Sequence, residues 1–190
     1  MHSRGQLPRR GHGVKEISLH LLDLIENAVA AGARTVDIRI QEDLAADRLR
    51  VTVRDDGRGM PTELAKTATD PFTTTRTTRK VGLGLALLSA AAEQAGGAFS
   101  LWSRPGRGTK VRAEFRLSHI DRAPLGALAE TLATAAVIHP DTDLRLSHRV
   151  GARYYRITTA GIDRSGGPAS VARQVRAKVT AGRERIGSTA

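Results

Sequence analysis

The chain has 190 residues, of which 40% are hydrophobic and 26% charged, and its formal net charge is +11 at pH 7. A chain of this length can bury one substantial core, which predicts one domain with an appendage. The absence of cysteine excludes disulfides, thiol chemistry and the usual zinc ligands, and the six histidines show no ligand spacing. No apolar run is long enough to span a membrane, and residues 1–13 lack the apolar core of a signal peptide. We therefore expect a cytoplasmic protein with no membrane partner.

The positive charge is spread along the sequence. Residues 1–119 hold 19 basic and 13 acidic side chains, and residues 120–190 hold 11 basic and 6 acidic ones. This distribution shows no basic stripe of the kind that binds nucleic acid. Aromatic residues, which stack on bases, make up only 3% of the chain. The composition therefore disfavours nucleic acid as a partner.

The first half of the chain alternates helical and strand patterns. Residues 1–13 are rich in Gly, Arg and Pro and predict a flexible basic arm. Apolar residues at helical spacing predict a helix that begins between residues 14 and 18, ends at Ala31 and is closed by Gly32. Strict alternation predicts strands over residues 35–40 and 49–55, with a polar connection between them.

A second group of elements follows the turn at residues 55–60. Residues 61–68 predict a short helix, and residues 67–78, of which seven are threonine, predict a loop. An alanine-rich helix is predicted from Leu83 to the glycines at 96–97. Residues 98–103 and 109–117 then predict a β-hairpin. These elements indicate an α+β fold, a two-layer sandwich with helices on one face of a mixed or antiparallel sheet.

Residues 119–190 carry a different set of patterns. We predict an amphipathic helix over 125–138, a hairpin from the segments 143–150 and 154–159, and a basic helix over 169–185. On this basis we divide the chain into an arm at 1–13, a domain at 14–118, a helix and hairpin extension at 119–160 and a basic, partly helical C-terminal tail at 161–190. The patterns leave open whether this region extends the sheet or pairs with a partner.

Three separated segments are consistent with one nucleotide pocket. The first predicted helix projects Asp23 and Asn27 from one face, and a carboxylate beside an amide can hold a hydrated cation. The segment DDGRGM at 55–60 is a glycine-punctuated turn that presents Asp55 at the end of a strand. The third segment, PFTTTRTTRKVGLGLALL at 71–88, leads through glycines into a helix whose N-terminus favours a phosphate.

In their order and residues these segments resemble the GHKL superfamily of ATP-binding proteins, which comprises gyrase, heat-shock chaperones, histidine kinases and mismatch-repair ATPases. The resemblance covers about residues 14–118 and implies the Bergerat-type ATP-binding fold. LIENAVAAGARTVDIRI followed by DDGRGM is most similar to a mismatch-repair ATPase. PFTTTR followed by GLGLALL is similar to the catalytic domain of a histidine kinase. The sequence has no P-loop pattern and no protein-kinase glycine loop.

The resemblance assigns roles to four polar residues. It implies that Asn27 holds the Mg²⁺ of Mg-ATP, and that Asp55 accepts a hydrogen bond from the exocyclic amine of adenine. Thr109 is expected to support Asp55 through water. Asp23 stands where many family ATPases place a glutamate that acts as general base. Because aspartate is one methylene shorter, Asp23 either activates water as that base or orients the water shell of the metal.

The remaining nucleotide contacts are implied in three groups. The turn contributes Gly57, Gly59 and Met60, and a lid over the phosphates contributes Thr73, Thr74, Thr75, Arg76 and Lys80. The start of the following helix contributes Gly82, Leu83, Gly84 and Leu85. Lys80 stands where the family's kinases usually have glycine, which implies either a stiffer lid or an additional cation near the γ-phosphate.

The resemblance implies a protein that binds Mg-ATP and either hydrolyses it slowly or transfers phosphate to a protein partner in regulation or signalling. Only about thirteen residues precede the pocket, which leaves no room for a helical dimerisation segment with a phospho-acceptor histidine. We therefore expect a kinase activity to act on a partner in trans. One alternative is a non-enzymatic ATP-dependent switch or interaction module, and another is a DNA-repair-like accessory ATPase.

Overall fold

The structure, a computed structural model, describes residues 16–68, 83–188 and 190. Within these ranges the helices are α1 (Ile17–Ala30), α2 (Thr62–Thr67), α3 (Leu83–Gln94), α4 (Leu128–Ile138) and α5 (Gly167–Ile186). The strands are β1 (Thr35–Asp43), β2 (Arg48–Asp55), β3 (Ala98–Ser103), β4 (Thr109–Arg116), β5 (Asp143–Val150) and β6 (Arg153–Thr158). The predicted arm at residues 1–13 and most of the predicted threonine-rich loop lie outside the described residues.

The strands form one mixed sheet in the order β3-β4-β2-β1-β5-β6. Neighbouring strands are antiparallel except β1 and β5, which are parallel. The predicted α+β class with a mixed sheet is thus confirmed. The C-terminal hairpin of β5 and β6 adds two strands beside β1, so the region after residue 118 extends the sheet.

One face of the sheet packs against the helices. In β1, for example, Val36, Ile38 and Ile40 are fully buried, while the residues between them are half-buried or exposed. The same alternation recurs in β2 and β5, because successive side chains of a strand point to opposite faces. A single apolar cluster joins Ile17 of α1 to Val179 of α5. The core is therefore continuous across residue 118, where the sequence suggested a boundary.

Strand β1 is longer than the sequence pattern predicted. We expected it to end at Ile40, yet residues 41–43 pair with β2, and Gln41 and Glu42 also pair with β5. The polarity of these residues suggested a connection. Glu42 is nevertheless 2% exposed, because its carboxylate meets the ring of the buried His148 at 2.7 Å. The connection between β1 and β2 shrinks to residues 44–47.

The helices agree closely with the periodic patterns. Helix α1 ends at Ala30, and Gly32 has the left-handed φ of +77° expected at a helix end. Helix α5 contacts α4 and β6 and buries Val171, Val175 and Val179. Within the described ranges, no helix combines the length and apolarity needed to cross a membrane.

Candidate functional site

Helix α1 separates an apolar face from a polar one. Its buried side chains, including Leu21, Leu24 and Ile25, face the core, whereas Asp23 is exposed and Asn27 is half-buried. The two polar residues are one turn apart and therefore project in the same direction. Among the described residues, no side chain or backbone group forms a hydrogen bond with either side chain. Their polar atoms are thus available to a ligand.

The first turn of α3 lies directly against this polar face. A β-carbon built on Gly84 would come 3.0 Å from Cβ and 3.2 Å from Oδ2 of Asp23. Leu85 and Leu88 are buried and anchor the helix in this position. The sequence-predicted residues Thr73, Thr74, Thr75, Arg76, Lys80 and Gly82 lie outside the described residues, as does the side chain of Leu83.

Asp55 ends strand β2 with one oxygen held by the backbone. Its Oδ1 accepts hydrogen bonds from the N–H groups of Gly57 at 2.9 Å and Thr109 at 3.2 Å. Its Oδ2 accepts no hydrogen bond from the described residues. Burial raises the pKa of the Asp55 carboxyl above its ordinary value, and the two backbone N–H groups offset part of that effect. A hydrogen-bond donor at Oδ2 would therefore stabilise the ionised form.

The turn after Asp55 packs against the end of α1. The N–H of Arg58 donates to the carbonyl of Ala31 at 2.9 Å, and a β-carbon on Gly57 would lie 2.9 Å from Cβ of Ala31. Gly59 has a φ of +65° and abuts the carbonyl of Arg104. Close packing within the protein therefore explains why glycine occupies both positions. Their approach to a ligand stays a prediction. Helix α1 contacts the turn at one end and α3 along its side.

A small hydroxyl network holds this turn against the β3–β4 hairpin. The N–H of Met60 donates to Oγ of Ser103 at 2.9 Å, and that hydroxyl lies 2.9 Å from Oγ1 of Thr109 and 3.0 Å from the carbonyl of Gly108. The sequence analysis missed Ser103. Ser103 is the cross-strand partner of Thr109, so the hairpin register around RPGRG could have identified it.

The neighbouring acid, Asp56, binds backbone N–H groups at the start of β1. It accepts hydrogen bonds from the N–H groups of Arg34 at 2.8 Å and Thr35 at 2.9 Å. Burial acts against its ionisation, but these hydrogen bonds outweigh it and lower the pKa of Asp56. Asp56 thereby ties the turn to the start of β1 and leaves Asp55 as the acid available to a ligand.

The residues present fit a magnesium ion that is held mostly by a nucleotide. Asn27 offers an amide oxygen with no described hydrogen-bond donor, and Asp23 lies one turn away on the same face. Within the described ranges there is no group of three or more acidic or histidine side chains that could hold a metal alone. An ion at Asn27 would therefore take its remaining ligands from phosphate oxygens and water, as Mg²⁺ commonly does.

The candidate site thus combines one face of α1, the acidic turn after β2 and the first turn of α3. Residues 14–119 match the family model for histidine kinase-, DNA gyrase B- and HSP90-like ATPases. The match covers more than half of the chain, and the chain belongs to this ATP-binding family.

Several curated proteins align with the same region. The chain is 43% identical over 112 residues to the sensor protein kinase FleS of Pseudomonas aeruginosa, an alignment covering 58% of this chain and 27% of that protein. It is 31% identical over 126 residues to the non-motile and phage-resistance protein of Caulobacter vibrioides, covering 62% of this chain and 15% of that protein. It is 35% identical over 96 residues to sporulation kinase A of Bacillus subtilis, covering 50% of this chain and 15% of that protein. The aligned region is thus a small part of each relative.

A solved structure shares the fold. The N-terminal domain of a DNA repair protein superposes with a TM-score of 0.52 at 12% sequence identity, covering 76% of this chain and 51% of that one. At this identity the likeness concerns the arrangement of helices and strands alone. The family match and the kinase relatives together make this a histidine-kinase-like ATPase domain.

Proposed function

We propose that the chain binds Mg-ATP between α1, the turn at residues 55–60 and the start of α3, and that it hydrolyses ATP slowly or transfers the γ-phosphate to a protein partner. One observation carries the proposal: α1 contacts both the acidic turn, through Ala31, and the first turn of α3, through Asp23. The turn and the start of α3, which are far apart in sequence, therefore both contact the α1 segment.

In this arrangement Asp55 recognises the base. With Oδ1 held by two backbone N–H groups, Oδ2 is the acceptor left for the exocyclic amine of adenine. Guanine presents a carbonyl oxygen at the equivalent position, and two acceptors would face each other there. Selection of adenine over guanine follows from this geometry, with Ser103 and Thr109 fixing the turn around the base.

The phosphates are proposed to lie beside α1, at the first turn of α3. The first N–H groups of α3 have no partner inside the helix, and the helix dipole makes this end favourable for anions. The amide oxygen of Asn27 would hold the magnesium ion, which neutralises phosphate charge when bound. Asp23, beside Gly84, is placed to orient a water molecule or to accept its proton.

A non-enzymatic switch is the second candidate, and the length of the Asp23 side chain favours it. Phosphate release from radiolabelled ATP, measured for wild type, Asp23→Asn and the exposed control Asp141→Asn, separates the two functions. Turnover that is lost in Asp23→Asn and kept in the control supports catalysis. Equal, very small amounts of released phosphate from all three proteins support a switch.

Calorimetry tests the binding proposal itself. We expect Mg-ATP to bind, Mg-GTP not to bind, and Asp55→Asn to lose about 5- to 150-fold in ATP affinity, the scale of one polar group left unmatched. The amide of the variant still accepts at Oδ1 but presents a donor to the adenine amine. Equal binding of ATP by wild type and Asp55→Asn would contradict the assigned pocket.

A further inference from the structure

The solvent-facing side of the sheet concentrates the positive charge of the chain. On the six strands, the residues that alternate with the core residues point away from the helices. Ten of these side chains are basic and four are acidic. Their net charge of +6 is more than half of the +11 of the whole chain. The sequence appeared evenly charged because these residues alternate with apolar ones over more than a hundred positions.

A trough of about 920 Å³ is lined by residues of β1, β5, β6 and α5. Its basic lining residues are Arg39, Arg145, Arg149, Arg156, Lys178 and Arg185. Asp37 is the single acidic residue among the described residues that line the trough. Its carboxylate already forms an ion pair with Arg39 at 2.6 Å. A ligand in this trough meets a surplus of cations.

An exposed aromatic ring lies at the β6 end of this face. Tyr154 is 54% exposed, and the guanidinium groups of Arg149 and Arg156 lie 5.4 Å and 5.7 Å from the ring centre. Neither arginine forms an ion pair with a described residue. The ring and its two cations therefore present one flat, positively charged surface to solvent.

The β3 end repeats the arrangement. Trp102 is 48% exposed, with Nζ of Lys110 at 5.2 Å and the guanidinium of Arg112 at 5.5 Å from the ring centre. Neither cation forms an ion pair with a described residue, and Nε of Arg112 is buried without a hydrogen-bond acceptor. Five strand-to-strand steps of about 4.8 Å place the two aromatic ends about 24 Å apart across the sheet.

We propose that this face binds single-stranded nucleic acid, with the arginines on the phosphates and with Trp102 and Tyr154 stacking on bases. A linear polyanion matches basic side chains that lie on five of the six strands, from β4 to β6, and stacking on aromatic rings is sequence-tolerant. The described part of this face has no exposed Leu, Ile, Val, Met or Phe, so it lacks the apolar centre typical of a protein interface. The proposal departs from the expectation from composition, which considered the number of aromatic residues and not their position.

Fluorescence anisotropy of a labelled single-stranded oligonucleotide of mixed sequence, titrated with the full chain at several salt concentrations and without ATP, tests the proposal. We expect wild type to bind with a clear salt dependence. Arg149→Gln/Arg156→Gln should bind more weakly, with a salt slope about 1.4 shallower, since each single-strand phosphate contact contributes about 0.7. Trp102→Ala and Tyr154→Ala should each lose about tenfold in affinity, through lost stacking.

The control variant Arg34→Gln/Arg173→Gln removes the same charge from two exposed positions outside the sheet. It should keep the wild-type affinity, and all variants should keep the wild-type melting temperature because the changed residues lie outside the core. Three results would overturn the proposal: an equal loss in the control, undiminished binding by both aromatic variants, or equal binding of poly-glutamate. Because no ATP is present, failure here leaves the ATP site untouched.

Discussion

A β-carbon built on Gly84 would lie 3.0 Å from Cβ of Asp23, so the first turn of α3 rests on the polar face of α1. At this distance a methyl group on residue 84 fits only if the Asp23 side chain or one of the two helices shifts by a few tenths of an ångström. The relationship links the glycine that opens α3 to the acid proposed to act on water. It also makes the spacing of the two helices sensitive to a single methyl group.

Gly84→Ala should therefore lower Mg-ATP affinity by about tenfold, because the added methyl displaces the helix start that we propose binds the phosphates. Its free energy of unfolding should change by less than about 1 kcal/mol, since alanine favours the helix by about that amount. Calorimetry and urea unfolding measure the two quantities. Gly161→Ala is the control, because no atom lies within 4 Å of its β-carbon position. An unchanged affinity in Gly84→Ala would separate α3 from the nucleotide.

Local periodicity was enough to predict most elements of this fold. The alternation of Val36, Ile38 and Ile40 and the spacing of Leu21, Leu24 and Ile25 express the two-residue and 3.6-residue periods directly. The end of β1 was missed because Glu42 is polar, and its burial depends on His148, 106 residues away along the chain. No local pattern encodes such a partner.

The candidate site shows the same division. Asp23, Asn27 and Asp55 could be proposed from the sequence because their types and spacing match a family pattern within single segments. Ser103 was missed because its role depends on the register of β3 against β4 and on the N–H of Met60, which is a contact between separate segments. The parallel pairing of β1 with β5 likewise depends on residues far apart in sequence.

The raised pKa of Asp55 predicts a pH-dependent stability. As pH rises above the ordinary carboxyl value of 3.8, the unfolded chain ionises at Asp55 before the folded chain does. The folded state then binds more protons, so this group lowers the free energy of unfolding until Asp55 ionises in the folded protein. Asp55→Asn removes the effect and keeps an acceptor for Gly57 and Thr109.

Denaturant unfolding without ATP, from about pH 4 to about pH 7, measures this difference. The stability of Asp55→Asn relative to wild type should rise with pH and then level off. Asp141→Asn, which changes an exposed aspartate outside the site, should follow the wild-type profile. A relative stability of Asp55→Asn that stays constant or falls with pH would contradict the burial of the Asp55 carboxyl.

Ser103→Ala should reduce the free energy of unfolding by about 1 kcal/mol, because the N–H of Met60 loses its hydrogen-bond acceptor in a partly buried position. ATP affinity should fall with it, since Thr109 loses the hydroxyl that fixes it beside Asp55. Urea unfolding and calorimetry give both values. Ser100→Ala, on the same strand but the opposite face, should change neither. Equal effects of the two substitutions would remove Ser103 from the site.

Two histidine–glutamate pairs of equal geometry provide a final prediction about stability. The Nε2 to Oε1 distance is 2.7 Å in both His148–Glu42 and His139–Glu26. The first pair has side chains that are 0% exposed, whereas in the second the side chains are 13% and 47% exposed. Burial, and not distance, should therefore decide the cost of breaking each pair.

His148→Leu should lower the free energy of unfolding by about 1–3 kcal/mol, because Glu42 loses its ring partner in a buried position while it keeps the hydroxyl of Ser188. His139→Leu should cost no more than about 1 kcal/mol, because water can solvate the exposed Glu26. Urea unfolding at neutral pH compares the two variants directly. Similar losses would show that the buried contact contributes no more to stability than the exposed one. A larger loss in His148→Leu than in His139→Leu would show that the buried contact between β1 and β5 contributes more to stability than the exposed one.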